Sequence, residues 1–235
     1  MPFWEKFGIG KNNKEQEQTG LTSKDIEMMQ PPQNPKSELI EFSSEGVADI
    51  EIPYYREEES RGIYTFPLPI IEKTLETGQE IAKIEPEEPL NTLRQIGPFL
   101  TSTSPQSHRE AFNQAIDFLV PDGTPVLAAQ DGEIDRVVMD NDEHGACPEF
   151  TDKMNLITIK HENGEQTQYI HLAKDSLVEG LDRGSKVKKG QQIAVTGMTG
   201  WTDRPHLHFL NFKLMEHPYP YHFKSLKPRF EKPQE

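Results

Sequence analysis

A chain of 235 residues is long enough for one good-sized core, but only 34% of it is hydrophobic, 19 residues are proline and the mean hydropathy is −0.72. Part of the chain is therefore expected to lie outside that core. A formal net charge of −14 argues against a nucleic-acid-binding surface, and the single cysteine, Cys147, excludes an internal disulfide or a cysteine-rich zinc site.

Residues 1–45 read as a disordered tail. The run Lys11 to Gln18 is polar and aperiodic, and Gln30-Pro31-Pro32-Gln33-Asn34-Pro35 has linker composition. Such a segment buries too little apolar surface to offset ordering and should be protease-sensitive. The opening Met1-Pro2-Phe3-Trp4-Glu5-Lys6-Phe7 has aromatics but no sustained apolar segment of a secretory signal. No stretch has the apolar length of a transmembrane segment, so by sequence alone the chain is expected in the cytoplasm.

Residues 46–95 form an extension that is either a small β-rich module or a strap on the main domain. Val47, Ile50, Ile52, Tyr54 and Tyr55 predict a strand, and the prolines within 63–71 impose an extended path. Residues 72–84 read as a helix, continuous or interrupted at Gly78.

From Ile96 the texture changes. Short apolar runs at 126–129, 134–139, 155–160, 166–170 and 192–196 alternate with turn signals such as Pro121-Asp122-Gly123, Asn163-Gly164 and Lys189-Gly190. This spacing predicts a mainly β domain over 96–215, an antiparallel sandwich or barrel-like structure. Residues 216–235, rich in proline and aromatics, are expected to wrap its surface.

Chemistry concentrates in a few places. In Pro205-His206-Leu207-His208-Phe209, strand alternation sends both histidines to one face and Leu207 and Phe209 into a core. Two adjacent imidazoles can hold a metal, or hold it and move a proton beside it. Among eight histidines, one such pair also arises by chance on a solvated face. Asp117 lies between Ile116 and Phe118, facing away from both, and is either an oxygen ligand or an ordinary turn acid. His108 is a loop nitrogen ligand or a surface histidine. His171, in Tyr169-Ile170-His171-Leu172, is expected on the same strand face as Tyr169. His144, His161, His217 and His222 read as structural or surface residues.

Taken together the pattern resembles the lysostaphin-type, or LytM-type, zinc endopeptidases. The matching residues run in the family's order: His108, Ala115-Ile116-Asp117-Phe118, Gly123-Thr124-Pro125-Val126, Ala128-Ala129 and Gly132. Next come Asn155, Ile157, Ile159, His161 and Gly164, followed by Tyr169, His171-Leu172, Gly184, Val187 and Gly190-Gln191. Gly197, Thr199-Gly200 and Pro205 to Phe209 close the set. The resemblance covers residues 97–212 and is silent about residues 1–95.

It implies that His108, Asp117 and His208 hold one Zn²⁺ per chain, and that His171 and His206 move protons and stabilise the oxyanion. The implied substrate is a peptide bond in bacterial peptidoglycan cross-links or stem peptides. The family's commoner form places its first histidine four residues before the aspartate, where this chain has Asn113; the upstream Ser107-His108 is taken as its replacement. Residues 142–153 and Trp201-Thr202-Asp203-Arg204 also depart from the family's pattern beside the groove. A cell-wall substrate would require export or release of the chain. The alternative reading is a catalytically silent scaffold that binds or regulates, although such relatives usually lack one or more of these polar positions and here all are filled.

Overall fold

The computed structural model describes residues 57–84, 92–104, 107–216 and 222–232. The predicted tail over 1–45 and the strand expected around Val47–Tyr55 lie outside the described residues, as does His217. In chain order the elements are helix α1 (Thr74–Ala82) and strands β1 (Thr92–Ile96), β2 (Phe99–Thr103), β3 (Ile116–Phe118), β4 (Pro125–Leu127), β5 (Gly132–Val138) and β6 (His144–Gly145). They continue with β7 (Leu156–Lys160), β8 (Glu165–Ile170), β9 (Lys186–Val187), β10 (Gln192–Val195), β11 (Gly200–Trp201), β12 (Leu207–Leu214) and β13 (Phe223–Ser225). Single 3-10 segments occupy Glu110–Phe112 and Pro148–Lys153.

Among the described residues the architecture is mainly β. A nine-stranded sheet runs β1-β2-β3-β12-β8-β7-β5-β9, with β13 beside β12, and every pairing within it is antiparallel. Two short ribbons, β10–β4 and the parallel β11–β6, complete it. The expected strands form as β4, β5, β7, β8 and β10, with ends shifted by a residue or two. The expected helix is continuous through Gly78. No helix among the described residues is long and apolar enough to cross a membrane.

Strand β12 organises the rest. Leu207 and Phe209 point into the main core with Phe118, Ile157, Ile159 and Tyr169, while Leu210 and Phe212 on the opposite face form a small cluster with Ala115. The pleat therefore places His208 on the second face, between a large core behind it and an apolar patch farther along. β3 and β8 flank it, with His208 opposite Asp117 on one side and Ile170 on the other.

The segment before the main domain joins the same core. Tyr64, Phe66 and Leu68 are buried in it, and Phe66 stacks on Phe230 at 4.6 Å between ring centroids. Backbone bridges Glu59↔Lys227 and Tyr64↔Phe230 tie both ends of the described chain together.

A buried carboxylate fastens this arm. Glu165 accepts hydrogen bonds from Ser60 Oγ (2.5 Å), Tyr64 OH (2.6 Å), the Arg61 backbone N–H (2.7 Å) and Asn211 Nδ2 (3.4 Å). Burial opposes ionisation of Glu165, but these donors prevail and hold its carboxyl below the usual range. Because the folded pKa lies below the unfolded one, this stabilisation is complete above the ordinary glutamate range. It is lost as pH falls through the lowered folded value. Glu165→Gln should cost about 2–4 kcal/mol in urea unfolding at neutral pH, since buried donors lose their anion. The deficit should shrink as the wild type is acidified; a variant as stable as wild type at neutral pH would show that the arm is held by apolar packing alone.

Candidate active site

The structure brings His108, Asp117, His171, His206 and His208 into one cluster on the face of the sheet opposite the main core. Asp117 Oδ1 lies 2.9 Å from His208 Nδ1, 3.1 Å from His108 Nε2 and 3.6 Å from His206 Nε2. His108 Nε2 and His208 Nδ1 are 3.3 Å apart. The rings of His171 and His206 meet edge-on at 4.6 Å, and His171 is 5.9 Å from His208. Asp117, His171, His206 and His208 are all buried.

One placement differs from the sequence expectation. His171 does not share a strand face with Tyr169. β8 ends at Ile170, and Tyr169 lies in the core with its hydroxyl on the Ala129 N–H. Continued alternation would have sent residue 171 to that same core face. Instead the backbone at His171 takes φ 64°, a left-handed conformation that few non-glycine residues adopt. The turn redirects the imidazole to the site, where Nδ1 lies 2.7 Å from the Thr199 carbonyl. This is local strain at a cluster of functional groups, held by a hydrogen bond from a distant loop.

The protonation pattern follows from the partners. A carbonyl only accepts, so His171 Nδ1 carries the proton toward Thr199 and its Nε2 presents a lone pair. His206 is set the same way: its Nδ1 lies 2.9 Å from the Arg204 carbonyl, which leaves Nε2 as the atom facing Asp117. Burial, reinforced by His206 and His208, keeps the His171 pKa well below the ordinary histidine value. Burial also lowers that of His208 against the opposing pull of Asp117. For Asp117 burial favours the neutral acid, but the charges of His108 and His206 and the hydrogen bonds of His108 and His208 hold it well below the carboxylate range. At neutral pH the site thus combines an anionic Asp117 carboxylate with neutral imidazoles at His171 and His208, the forms that bind metal.

Two donor sets satisfy metal-binding geometry among the described residues, His108–Asp117–His208 and His171–His206–His208. Donors about 2.0–2.1 Å from a tetrahedral zinc stand about 3.3 Å from one another, and the first set has edges of 2.9, 3.1 and 3.3 Å. Two imidazoles and a carboxylate also form a donor chemistry that catalytic zinc accepts. The Nδ1 atoms of His171 and His206 are engaged by backbone carbonyls, which leaves their Nε2 atoms facing the site.

Asn113, the alternative first ligand, is engaged elsewhere. Its Oδ1 accepts a hydrogen bond from Ser225 Oγ at 2.8 Å, and the same hydroxyl accepts from the Gln114 N–H. His108→Ala should therefore abolish metal uptake, while Asn113→Ala leaves it nearly intact; the reverse outcome in a metal titration would overturn the upstream-histidine assignment. His161 is a buried structural residue, with Nδ1 2.8 Å from the Asp131 carbonyl and Nε2 2.9 Å from Thr167 Oγ1. His144 is exposed on β6.

Sequence reasoning counted Asn155 and Thr199 among the matching residues but assigned them no part in holding this cluster in place. Asn155 is fully buried and bonds Asn141 and the Leu172 carbonyl, and its backbone N–H donates to Thr199 Oγ1. Thr199 and Arg204 contribute main-chain carbonyls, which leave no residue-type signature. A polar side chain opening an otherwise apolar run at 155–159 was the one available signal.

An antiparallel sheet that gathers a carboxylate and four imidazoles on one face offers a metal-binding site. Residues 111–218 match peptidase family M23, and the chain carries a domain of that family. Over 97 residues it is 37% identical to an uncharacterized metalloprotease of Haemophilus influenzae, covering 41% of this chain and 18% of that protein. Over 122 residues it is 35% identical to the DD-carboxypeptidase/endopeptidase Mpg of Neisseria meningitidis serogroup B, covering 52% and 25%. Among solved structures, a zinc-containing peptidase from Vibrio cholerae is 31% identical over 51% of this chain and 33% of that one, with a TM-score of 0.35. The chain thus spans a quarter or less of the length of these two sequence relatives.

Proposed function

We propose that the chain is a zinc-dependent endopeptidase that hydrolyses peptide bonds of bacterial peptidoglycan, in cross-links or stem peptides. The observation that carries this reading is the pairing of a compact donor set, His108–Asp117–His208, with two imidazoles whose Nε2 lone pairs are fixed by carbonyls behind them. Membership in the M23 family and the resemblance to proteins named as peptidoglycan endopeptidases support the substrate class.

His108, Asp117 and His208 would hold the ion. Zinc, when bound there, supplies Lewis-acid polarisation and makes a water acidic near neutral pH, with a pKa of about 7. The chain's own residues do the rest. His206 turns its Nε2 to the site, and His171 presents in the same place an unprotonated Nε2 that accepts the proton of the attacking water. Once protonated, that nitrogen is a donor, able to serve the tetrahedral oxyanion and then to return the proton to the leaving amine. Thr199 and Arg204 keep both rings in the tautomer that starts this cycle. Burial of the cluster strengthens each of these polar contacts.

Purified peptidoglycan incubated with wild type and with His208→Ala, alongside the metal content of each, tests the reading. Soluble muropeptide fragments are expected from the zinc-loaded wild type and not from the variant. If zinc-loaded wild type releases none and cleaves no glycine- or alanine-rich peptide, the chain is instead a silent binding scaffold of the same fold. A wall substrate requires export or release of the chain to reach it.

A further inference from the structure

The loop 199–204 carries both carbonyls that set the two proton-handling histidines, and it is itself pinned by hydroxyls. Thr199 takes His171 Nδ1–H on its carbonyl, while its Oγ1 donates to the Leu172 carbonyl at 2.9 Å and receives the Asn155 N–H at 2.9 Å. Thr202 does the equivalent for His206. Its buried Oγ1 donates to the Arg204 carbonyl at 2.8 Å, the same oxygen that His206 Nδ1 approaches at 2.9 Å. With its hydrogen so used, Oγ1 has only lone pairs to offer His206 Nδ1, 3.3 Å away. Both acceptors around Nδ1 therefore call for a proton on that atom, and the Thr202 hydroxyl ties the two together.

The loop is fastened in turn to the segment 140–154. Gly200 N–H donates to the Glu143 carbonyl and Thr202 N–H to the Gly145 carbonyl, making the parallel β6–β11 ribbon. The fit is close on both sides. A Cβ on Gly145 would sit 2.3 Å from the Phe150 ring, and Gly200 takes φ 89° with Met154 2.7 Å from where its Cβ would be. This segment buttresses the turn that presents Thr202.

We infer that Thr202 is a positioning residue for catalysis: its hydroxyl locks the 202–204 turn and thereby fixes His206 in the Nδ1–H tautomer, with the Nε2 lone pair aimed into the site. The inference rests on the peptidase reading for its consequence in turnover, but its structural content, the tautomer of His206, is measured without any substrate. Thr202→Val keeps the shape of the side chain and removes the hydroxyl; Thr202→Ser keeps the hydroxyl and removes the methyl.

In zinc-loaded protein Thr202→Val is expected to lower kcat about tenfold or more with KM and zinc stoichiometry nearly unchanged, and Thr202→Ser to retain most of wild-type kcat. Nitrogen-15 imidazole spectra of the wild type, recorded where His206 is neutral, should show its proton on Nδ1, and Thr202→Val should add the other tautomer. Wild-type turnover and a single His206 tautomer in Thr202→Val would overturn the inference. So would equal losses in the valine and serine variants, which would indicate packing only. If Thr202→Val does not fold, the wild-type spectrum decides: His206 protonated at Nε2 sinks the proposal, and protonation at Nδ1 together with serine retention supports it. Wild type that cleaves nothing would remove the peptidase reading while leaving the tautomer measurement valid.

Discussion

Metal-free protein titrated with zinc is expected to take up about one equivalent, to lose that uptake in His208→Ala and Asp117→Ala, and to keep most of it in His206→Ala. The argument is geometric. His208 Nδ1, Asp117 Oδ1 and His108 Nε2 form a triangle with edges near 3 Å, and removing a vertex leaves two donors where catalytic zinc sites use three. Asp117 is also the anion of the set, so its loss leaves neutral imidazoles around a dication. His206 Nε2 stands farther off, 3.6 Å from Asp117 Oδ1. Its removal perturbs the surroundings of the ligands, an effect worth about 10–100-fold in affinity at most. If His206→Ala loses zinc as completely as His208→Ala, the ion sits in the His171–His206–His208 set and the roles of the histidines must be exchanged.

Much of this site is written in local sequence. The alternation around Asp117 and around His206–Leu207–His208 reads correctly because β3 and the start of β12 are regular, and the core behind them fixes which face each residue takes. The strands between turn signals are legible for the same reason: one buried face forces a period of two. His171 was misread because nothing in Tyr169-Ile170-His171-Leu172 announces a left-handed residue. The hydrogen bond that holds it comes from Thr199, 28 positions away, and a local pattern carries no record of such a partner.

The arm before the domain was ambiguous for a related reason. Tyr64, Phe66 and Leu68 alternate among prolines, which fits either a separate module or a strap. What settles their packing is Phe230 from the other end of the chain and the carboxylate of Glu165. Glu165 itself follows an Asn163-Gly164 turn, where an acid ordinarily faces solvent. Its burial is comprehensible only once Ser60, Arg61 and Tyr64 are brought to it. The residues that hold His171 and His206 were hardest to read, because Thr199 and Arg204 act through main-chain carbonyls and any residue type supplies those.

His171→Ala and His206→Ala should each reduce turnover by about a hundredfold or more while zinc stays bound, and the wild type should show a bell-shaped dependence of rate on pH. Each imidazole turns its Nε2 to the site, because a carbonyl engages the proton on Nδ1. For His171 burial, with His206 and His208 beside it, pushes the pKa well below the ordinary histidine value. The sign follows: lowering the pH through neutrality does not at first protonate His171, so the acid limb should fall on the acidic side of the usual histidine range. Because His171 is already neutral at neutral pH, an alkaline limb requires that another group of the site hold a proton before the attack. His171→Ala and His206→Ala should fold as wild type, since both side chains lie on the site face and outside the apolar core. Rate measurements on a synthetic cross-link peptide from pH 4 to 10, paired with zinc analysis of each variant, carry the test. A variant that binds zinc and turns over within about threefold of wild type removes that histidine from the proton relay. A rate that climbs with pH and never declines means that no group of the site needs to hold a proton before the attack.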